Sequence, residues 1–364
     1  MLIYFEMIII DAPLTNPASF ASIGLSIYKY LKKFGFNVCY SPWTLDYPVN
    51  RDVEINICRL ASRNDVYIRV SHIDSFNVIP PCKLRIGIGP IDIAFNNLNY
   101  LRSCILNTHY SFTFCRAYVD KMCKVFNVNN VYFMPLGFDP DYFNDFNKDK
   151  IKKMYGLHGR YVIGMVTRFD RRENPTTLIS ALQLAKIKNK LNLNNVSVVF
   201  ISNEIFDPNY FEEVIKQLKS LSVHYRIYVG VKDFVEYSNL IKLLDVLVIC
   251  SMYESGTSLI PEAIASRTVP IVTNQVSLVE YVYDMCGCIN DIIIESTDSD
   301  VLARVGNTVV DAKIPNTSDL AQKICRLSSE DLRQEILSKC LSKVNEYSYE
   351  NIVKKYLVPI IEKS

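Results

Sequence analysis

Short, almost wholly apolar runs recur along this chain with helix-length segments between them: DVYIRV (65–70), YVIGMV (161–166), VSVVFI (196–201), RIYVG (226–230) and DVLVIC (245–250). A strand with one wet face alternates apolar and polar residues. Runs that lose the alternation predict strands covered on both faces. Intervals of a dozen or more residues between them fit the crossovers of parallel βαβ units, so the class expected is α/β. At 364 residues the chain is long enough for two such domains, each with its own core.

Two intervening segments, FASIGLSIYKYLKKF (20–34) and PTTLISALQLAKI (175–187), space apolar residues three and four apart and predict surface helices. The first carries lysines on its other side; it reads as a helix packed on a sheet, with peripheral membrane contact as the alternative. PLGFDPDYFNDFNKDK (135–150) is rich in Pro, Asp and Asn and reads as an interdomain linker, dividing the chain into domains over 1–145 and 146–345. A terminal helix over 346–364 is expected to dock, because Tyr349, Ile352, Val353, Tyr356, Leu357, Ile360 and Ile361 share one face.

A formal charge of +2 argues against a general nucleic-acid binder, which needs a dominant basic face. MLIYFEMIIIDAP carries Glu6 in its apolar run and reads as a first strand, not a signal peptide, and no apolar stretch is long enough to span a bilayer. Eleven cysteines without a C-x-x-C pair indicate neither a zinc site nor a disulfide framework. A reducing, cytoplasmic setting is expected, intracellular proteins of hyperthermophiles being the exception that carries disulfides.

The chemistry concentrates in CSMYESGTSLIPEAIASRTVPIVTN (250–274). Proline is tolerated in a helix's first turn, so Pro261 predicts a helix starting near Ser258, capped by Ser258 or Thr257. Backbone N–H groups of roughly residues 256 to 260 would then point out at the carboxyl end of the sheet, where they and the helix dipole favour a phosphate, which makes Ser255, Gly256, Thr257, Ser258 and Leu259 the donor-binding candidates. Gly256 lets the backbone approach it. Glu254 and Glu262 would flank that group. A carboxylate only accepts hydrogen bonds, so the pair suits the hydroxyls of a sugar and a ribose, one each side of the phosphates.

These residues resemble the retaining GT-B glycosyltransferases, specifically glycosyltransferase family 4, whose hallmark is E-x7-E in a strand–loop–helix. MPLGFDPDYF (134–143), VTRFDRRENPTTLISAL (166–182) and SLVEYV (277–282) are similar in order to further segments of that family. The likeness is strong from about residue 131 and weak before it. It implies two Rossmann-like parallel-sheet domains facing a central cleft, with the C-terminal helix crossing back to the first. It also implies a retaining, metal-independent hexosyl transfer from a nucleoside-diphosphate sugar, a co-substrate and not a resident cofactor. The acceptor, whether glycan, lipid or protein, is left open. By position, Glu262 would hold the ribose, Glu254 the donor sugar and Arg168 the diphosphate.

The chain departs from the family in three places. Glu173 stands where the family has a second phosphate-binding cation, so Arg171 or Arg172 would have to replace it. Thr257 stands where the family has Gly. In the first domain the Gly-rich loop becomes PLTNPASFASIG (13–24), and the donor-pocket His aligns near Gly89, leaving His72 and His109 as candidates. Three other readings stand beside the transferase: a metal-dependent enzyme using Asp139-Pro-Asp141 or Asp298-Ser-Asp300, a non-catalytic nucleotide-sugar-binding protein, and a nucleotide-sugar epimerase.

Overall fold

The computed structural model describes residues 7–14, 19–42, 55–58, 61–91, 97–143, 146–231, 233–287, 290–299 and 310–364. Glu6, Asp300 and residues 15–18 of the replaced loop lie outside them.

Two six-stranded parallel sheets organise the chain. The first contains β1 (Ile8–Asp11), β2 (Val38–Ser41), β3 (Val66–Val70), β4 (Leu84–Ile88), β5 (Tyr110–Thr113) and β6 (Val131–Phe133), in the order β2-β1-β3-β4-β5-β6. The second contains β7 (Tyr161–Val166), β8 (Val196–Ser202), β9 (His224–Val229), β10 (Val246–Ile249), β11 (Val269–Thr273) and β12 (Ile293–Ile294), in the order β12-β11-β10-β7-β8-β9. The five apolar runs all become strands, and β8 is buried along its whole length.

Helices fill the intervals: α1 (Ser19–Lys33), α2 (Leu98–Leu106), α3 (Arg116–Phe126), α4 (Pro140–Phe143), α5 (Lys148–Met154), α6 (Pro175–Ile187), α7 (Pro208–Leu221), α8 (Phe234–Lys242), α9 (Leu259–Ala265) and α10 (Val276–Cys286). Helix α6 starts at its proline, as a missing N–H in the first turn allows. The Pro- and Asp-rich stretch between the sheets holds α4 and the start of α5.

After helices Thr317–Arg326 and Glu330–Val344, the chain returns to the first sheet. Tyr349 N–H donates to the Phe138 carbonyl at 2.9 Å, and Lys33 of α1 pairs with Glu350 at 2.8 Å. The terminal helix is α-helical over Tyr349–Ile352, π-helical over Val353–Leu357 and α-helical again over Val358–Lys363. Pro359 lacks the N–H that would bond one turn back, and the widened turn lies just before it.

Disulfides join Cys39 to Cys58 and Cys286 to Cys340, Cα atoms 5.4 and 4.2 Å apart. This corrects the expectation of no disulfide framework. The partners are 19 and 54 residues apart in sequence and meet only through tertiary packing, so no local spacing announces them. No helix among the described residues is long and apolar enough to cross a membrane.

Candidate active site

In the second sheet, β7 lies between β8 and β10, the place where strand order reverses and where open α/β sheets leave a crevice at the strands' carboxyl ends. Two loops meet there, Thr167–Asn174 after β7 and Cys250–Ser258 after β10. They line a cavity of about 370 Å³ whose other wall comes from the first domain through Phe20, His72, Pro90, Phe114 and Leu136.

The β7 loop is locked by its own charges. Glu173 is 9% exposed. Its carboxylate accepts from Thr167 Oγ1 at 2.8 Å, the Arg168 amide at 2.5 Å and the Arg172 guanidinium at 2.9 Å. Its own N–H donates to Asp170 at 2.8 Å. Glu173 therefore lines the cavity as the brace of the loop. Arg172 reaches across to Glu254 Oε1 at 2.5 Å and to the Tyr253 carbonyl at 3.1 Å. Arg168 bonds Asp170 at 3.1 Å and remains 40% exposed on the cavity wall. Arg171 turns outward, 73% exposed, over the Tyr210 ring and toward Glu213. Of the two arginines, Arg172 is the one at the cavity.

The β10 loop is pinned at one carbonyl. Glu254 O accepts from Ser277 Oγ at 2.7 Å, Gln275 Nε2 at 3.2 Å and, from the first domain, Tyr118 OH at 3.4 Å. Helix α9 begins at Leu259 with Ser258 as N-cap, as Pro261 requires. The Leu259 amide is taken by Thr257 Oγ1 at 3.1 Å. The amides of Ser255, Gly256, Thr257 and Ser258 have no acceptor among the described residues, and all four residues line the cavity. Gly256 has φ 147°, and a Cβ there would lie 2.4 Å from Phe114 Cβ, so the domains meet at a point only glycine fits.

Glu262 is placed differently from its partner. It is 4% exposed and does not line the cavity; Tyr237 of α8 does, and its hydroxyl donates to Glu262 Oε2 at 2.7 Å. Burial pushes the Glu262 carboxyl up to about 7, while hydrogen bonds from Tyr237 and Ser258 act to lower it. Tyr237 is the functional candidate that sequence reasoning missed. Its one sequence signal is membership of the helix just before β10.

The two histidines separate. His72 follows β3 and lines the cavity with Phe20 edge-on at 4.8 Å. His109 precedes β5, at the opposite end of the first sheet, where Nδ1 accepts from the Arg85 amide at 3.0 Å and burial lowers its pKa. Gly89 follows β4; a Cβ there would meet the Ser71 carbonyl at 1.9 Å, so it serves close packing beside His72. Asp139 and Asp141 both hold Lys29 Nζ, at 2.7 and 2.6 Å.

Two parallel-sheet domains facing a cleft, with the second sheet's switch point supplying amides and arginines, define the GT-B fold. Residues 147–324 match the glycosyl transferases group 1 family, so the second half of the chain carries such a domain. Among solved structures, HepE of Anabaena with UDP and glucose is similar at 12% identity and TM-score 0.73, covering 98% of this chain and 100% of that one. A glycosyltransferase of Rickettsia africae is similar at 16% identity and TM-score 0.71, covering 98% and 97%. Sucrose-phosphate synthase of Thermosynechococcus elongatus is similar at 13% identity and TM-score 0.68, covering 98% and 100%. At these identities the likeness carries the fold alone. No curated protein sequence matches the chain significantly.

Proposed function

We propose that this chain transfers a hexosyl group from a nucleoside-diphosphate sugar to an acceptor hydroxyl, retaining anomeric configuration and needing no metal, as in glycosyltransferase family 4. The observation that carries the reading is the set of amides at Ser255–Ser258, without an acceptor among the described residues, sharing a cavity with Arg168 at the switch point of the second sheet. Arg168 supplies charge-assisted hydrogen bonds to the departing diphosphate, and the amides stabilise the negative charge that builds there. Glu254 takes the donor sugar and the Tyr237–Glu262 pair the ribose side. HepE was solved with UDP-glucose, which makes UDP-glucose the first donor to try. The proposed setting is cytoplasmic, with membrane contact, if any, peripheral; its two disulfides then call for a host in which intracellular disulfides persist.

Same-face attack assisted by the departing phosphate is the proposed route. Transfer assays with UDP-glucose and other nucleotide sugars, with and without chelator, test it, and NMR of the product's anomeric centre reads the stereochemistry. An inverted product, a trapped glycosyl-enzyme adduct or loss of activity in chelator would each overturn that part. Two observations favour a second reading, a binding protein without turnover: Glu173 occupies the second cation's place, and Tyr237 stands between Glu262 and the cavity. Donor binding by the parent protein with no transfer or hydrolysis, against Glu254→Ala as control, would select it.

A further inference from the structure

A second and larger cavity, of about 730 Å³, opens at the other end of the second sheet. It is bordered by Arg160, Asn195 and Asp245, which immediately precede β7, β8 and β10, whereas the candidate active site follows those strands. A strand the length of β8 puts roughly 20 Å between the two.

Five cations line this cavity: Lys148, Lys152, Arg160, Arg267 and Arg333. Three carboxylates, Asp149, Asp245 and Glu330, line it as well, and among the described residues only Asp245 pairs with any of the five cations. Asp245 holds Lys152 at 2.6 Å and Arg333 at 4.0 Å. The others are held by neutral groups. Arg160 donates to the carbonyls of Asn194 and Val196 at 3.0 and 3.3 Å, and Lys148 to the Arg267 carbonyl at 2.8 Å. Neither Lys148 nor Arg267 has an ion pair among the described residues. Aromatic rings aim the guanidiniums: Arg333 sits over Tyr161 at 5.2 Å and Arg267 over Phe146 at 5.9 Å.

Carbonyls orient a cation without neutralising it, so the cavity keeps surplus positive charge. Lys148 registers this. Burial pushes its pKa down to about 7, and Lys152, Arg333 and Arg267 push the same way against the opposing pull of Asp245. A concavity of small-molecule size with oriented guanidiniums and a lysine suits a compact, multiply charged anion, whose oxygens accept paired N–H bonds.

We propose that this cavity is a second ligand site, separate from the sugar-transfer cleft, that takes a small phosphorylated molecule. The proposal does not depend on the transferase reading.

Calorimetry on the full chain with inorganic pyrophosphate tests it, using Arg168→Ala to weaken binding in the transfer cleft. Pyrophosphate is expected still to bind that variant, with any binding left at the cleft's amides unaffected by the substitutions that follow. Adding Lys148→Met and Arg267→Gly should weaken binding at least about tenfold, the loss of roughly one charged contact. Arg267 has φ 52°, so glycine removes the charge without straining the backbone. Should the combined variant fail to fold, Arg267→Gly alone, at an exposed position, is expected to show the same direction. The proposal is overturned if pyrophosphate does not bind Arg168→Ala, or if a variant with the parent's melting temperature but without these cations binds equally well.

Discussion

The two sheets turn the same kind of edge to the cleft and furnish it differently. The second contributes a mesh of opposite charges, Arg168, Asp170, Arg172, Glu173 and Glu254, each held by another. The first contributes the rings of Phe20, His72 and Phe114 with Pro90 and Leu136. Phosphate recognition needs fixed charge and amides, and here two loops far apart in sequence, Thr167–Asn174 and Cys250–Ser258, bring them together. The facing wall needs shape, which many sequences supply. One wall therefore suits the chemistry of the donor and the other the selection of what meets it.

The sharpest way to break this contrast is to compare Arg168→Ala with His72→Ala. Loss of Arg168 is expected to lower transfer about 10²–10³-fold, the usual cost of removing one stabiliser of developing charge. Melting should hardly change, since the side chain is 40% exposed. His72→Ala should cost less, about tenfold. Steady-state kinetics on both decide it, and a larger loss at His72 would move the chemistry to the first wall.

A buried carboxylate behind each wall extends the comparison to pH. Asp11, at the end of β1, is raised by burial but offset by the Arg69 guanidinium and Tyr67. Glu262 has only hydroxyls and is pushed up to about 7. Unfolded, it titrates near the ordinary glutamate value of about 4.3. The folded state thus holds the extra proton, and stability falls as pH climbs from about 4 to about 7, by an amount on the order of 3 kcal/mol. Glu262→Gln should flatten that slope in urea titrations at several pH values. An unchanged slope would mean that Glu262 is not the group responsible.

Legibility followed the same division. Strands β7, β8 and β10 were readable because burial on both faces removes polar alternation, β9 kept its apolar run although it is only half-buried, and α6 announced itself through apolar residues three and four apart. The β10 loop was readable because Gly256, Pro261 and a preceding apolar strand leave few alternatives. Other features depend on distant packing. Glu254 and Glu262 look equivalent in sequence, and only the position of Tyr237, 25 residues before Glu262, separates a cavity wall from a buried acid. Likewise His72 and His109 both lie near strand ends, but at opposite ends of the first sheet. In the first domain the strands are three to five residues long and left little periodicity to read.

The point where the walls touch gives a smaller effect. Gly256→Ala places a methyl 2.4 Å from Phe114 Cβ at a φ of 147°. Strain of this kind costs about 1–3 kcal/mol, so melting should fall by several degrees. Gly256→Ala combined with Phe114→Gly, which removes that Cβ, should recover the steric part relative to Phe114→Gly alone and leave the backbone part. If the double variant recovers nothing, the contact between walls is not what limits this position.

Arg171 and Arg172 are adjacent and chemically identical, so exchanging them one at a time isolates position from charge. Arg172 is 17% exposed and ties Glu173 of one loop to Glu254 of the other. Removing it leaves two partly buried carboxylates facing each other without their shared cation, which should raise KM for the donor and loosen both loops. Among the described residues Arg171 meets Glu213 at 3.7 Å and the face of Tyr210, neither of which lines the cavity. Exposed pairs of that kind contribute little, so Arg171→Ala should change stability by less than about 0.5 kcal/mol and leave kcat/KM within about twofold. A marked loss at Arg171 would mean that the β7 loop rotates when donor binds, bringing its outward charge into the cleft, and the division of labour between the loop's two arginines would have to be reversed.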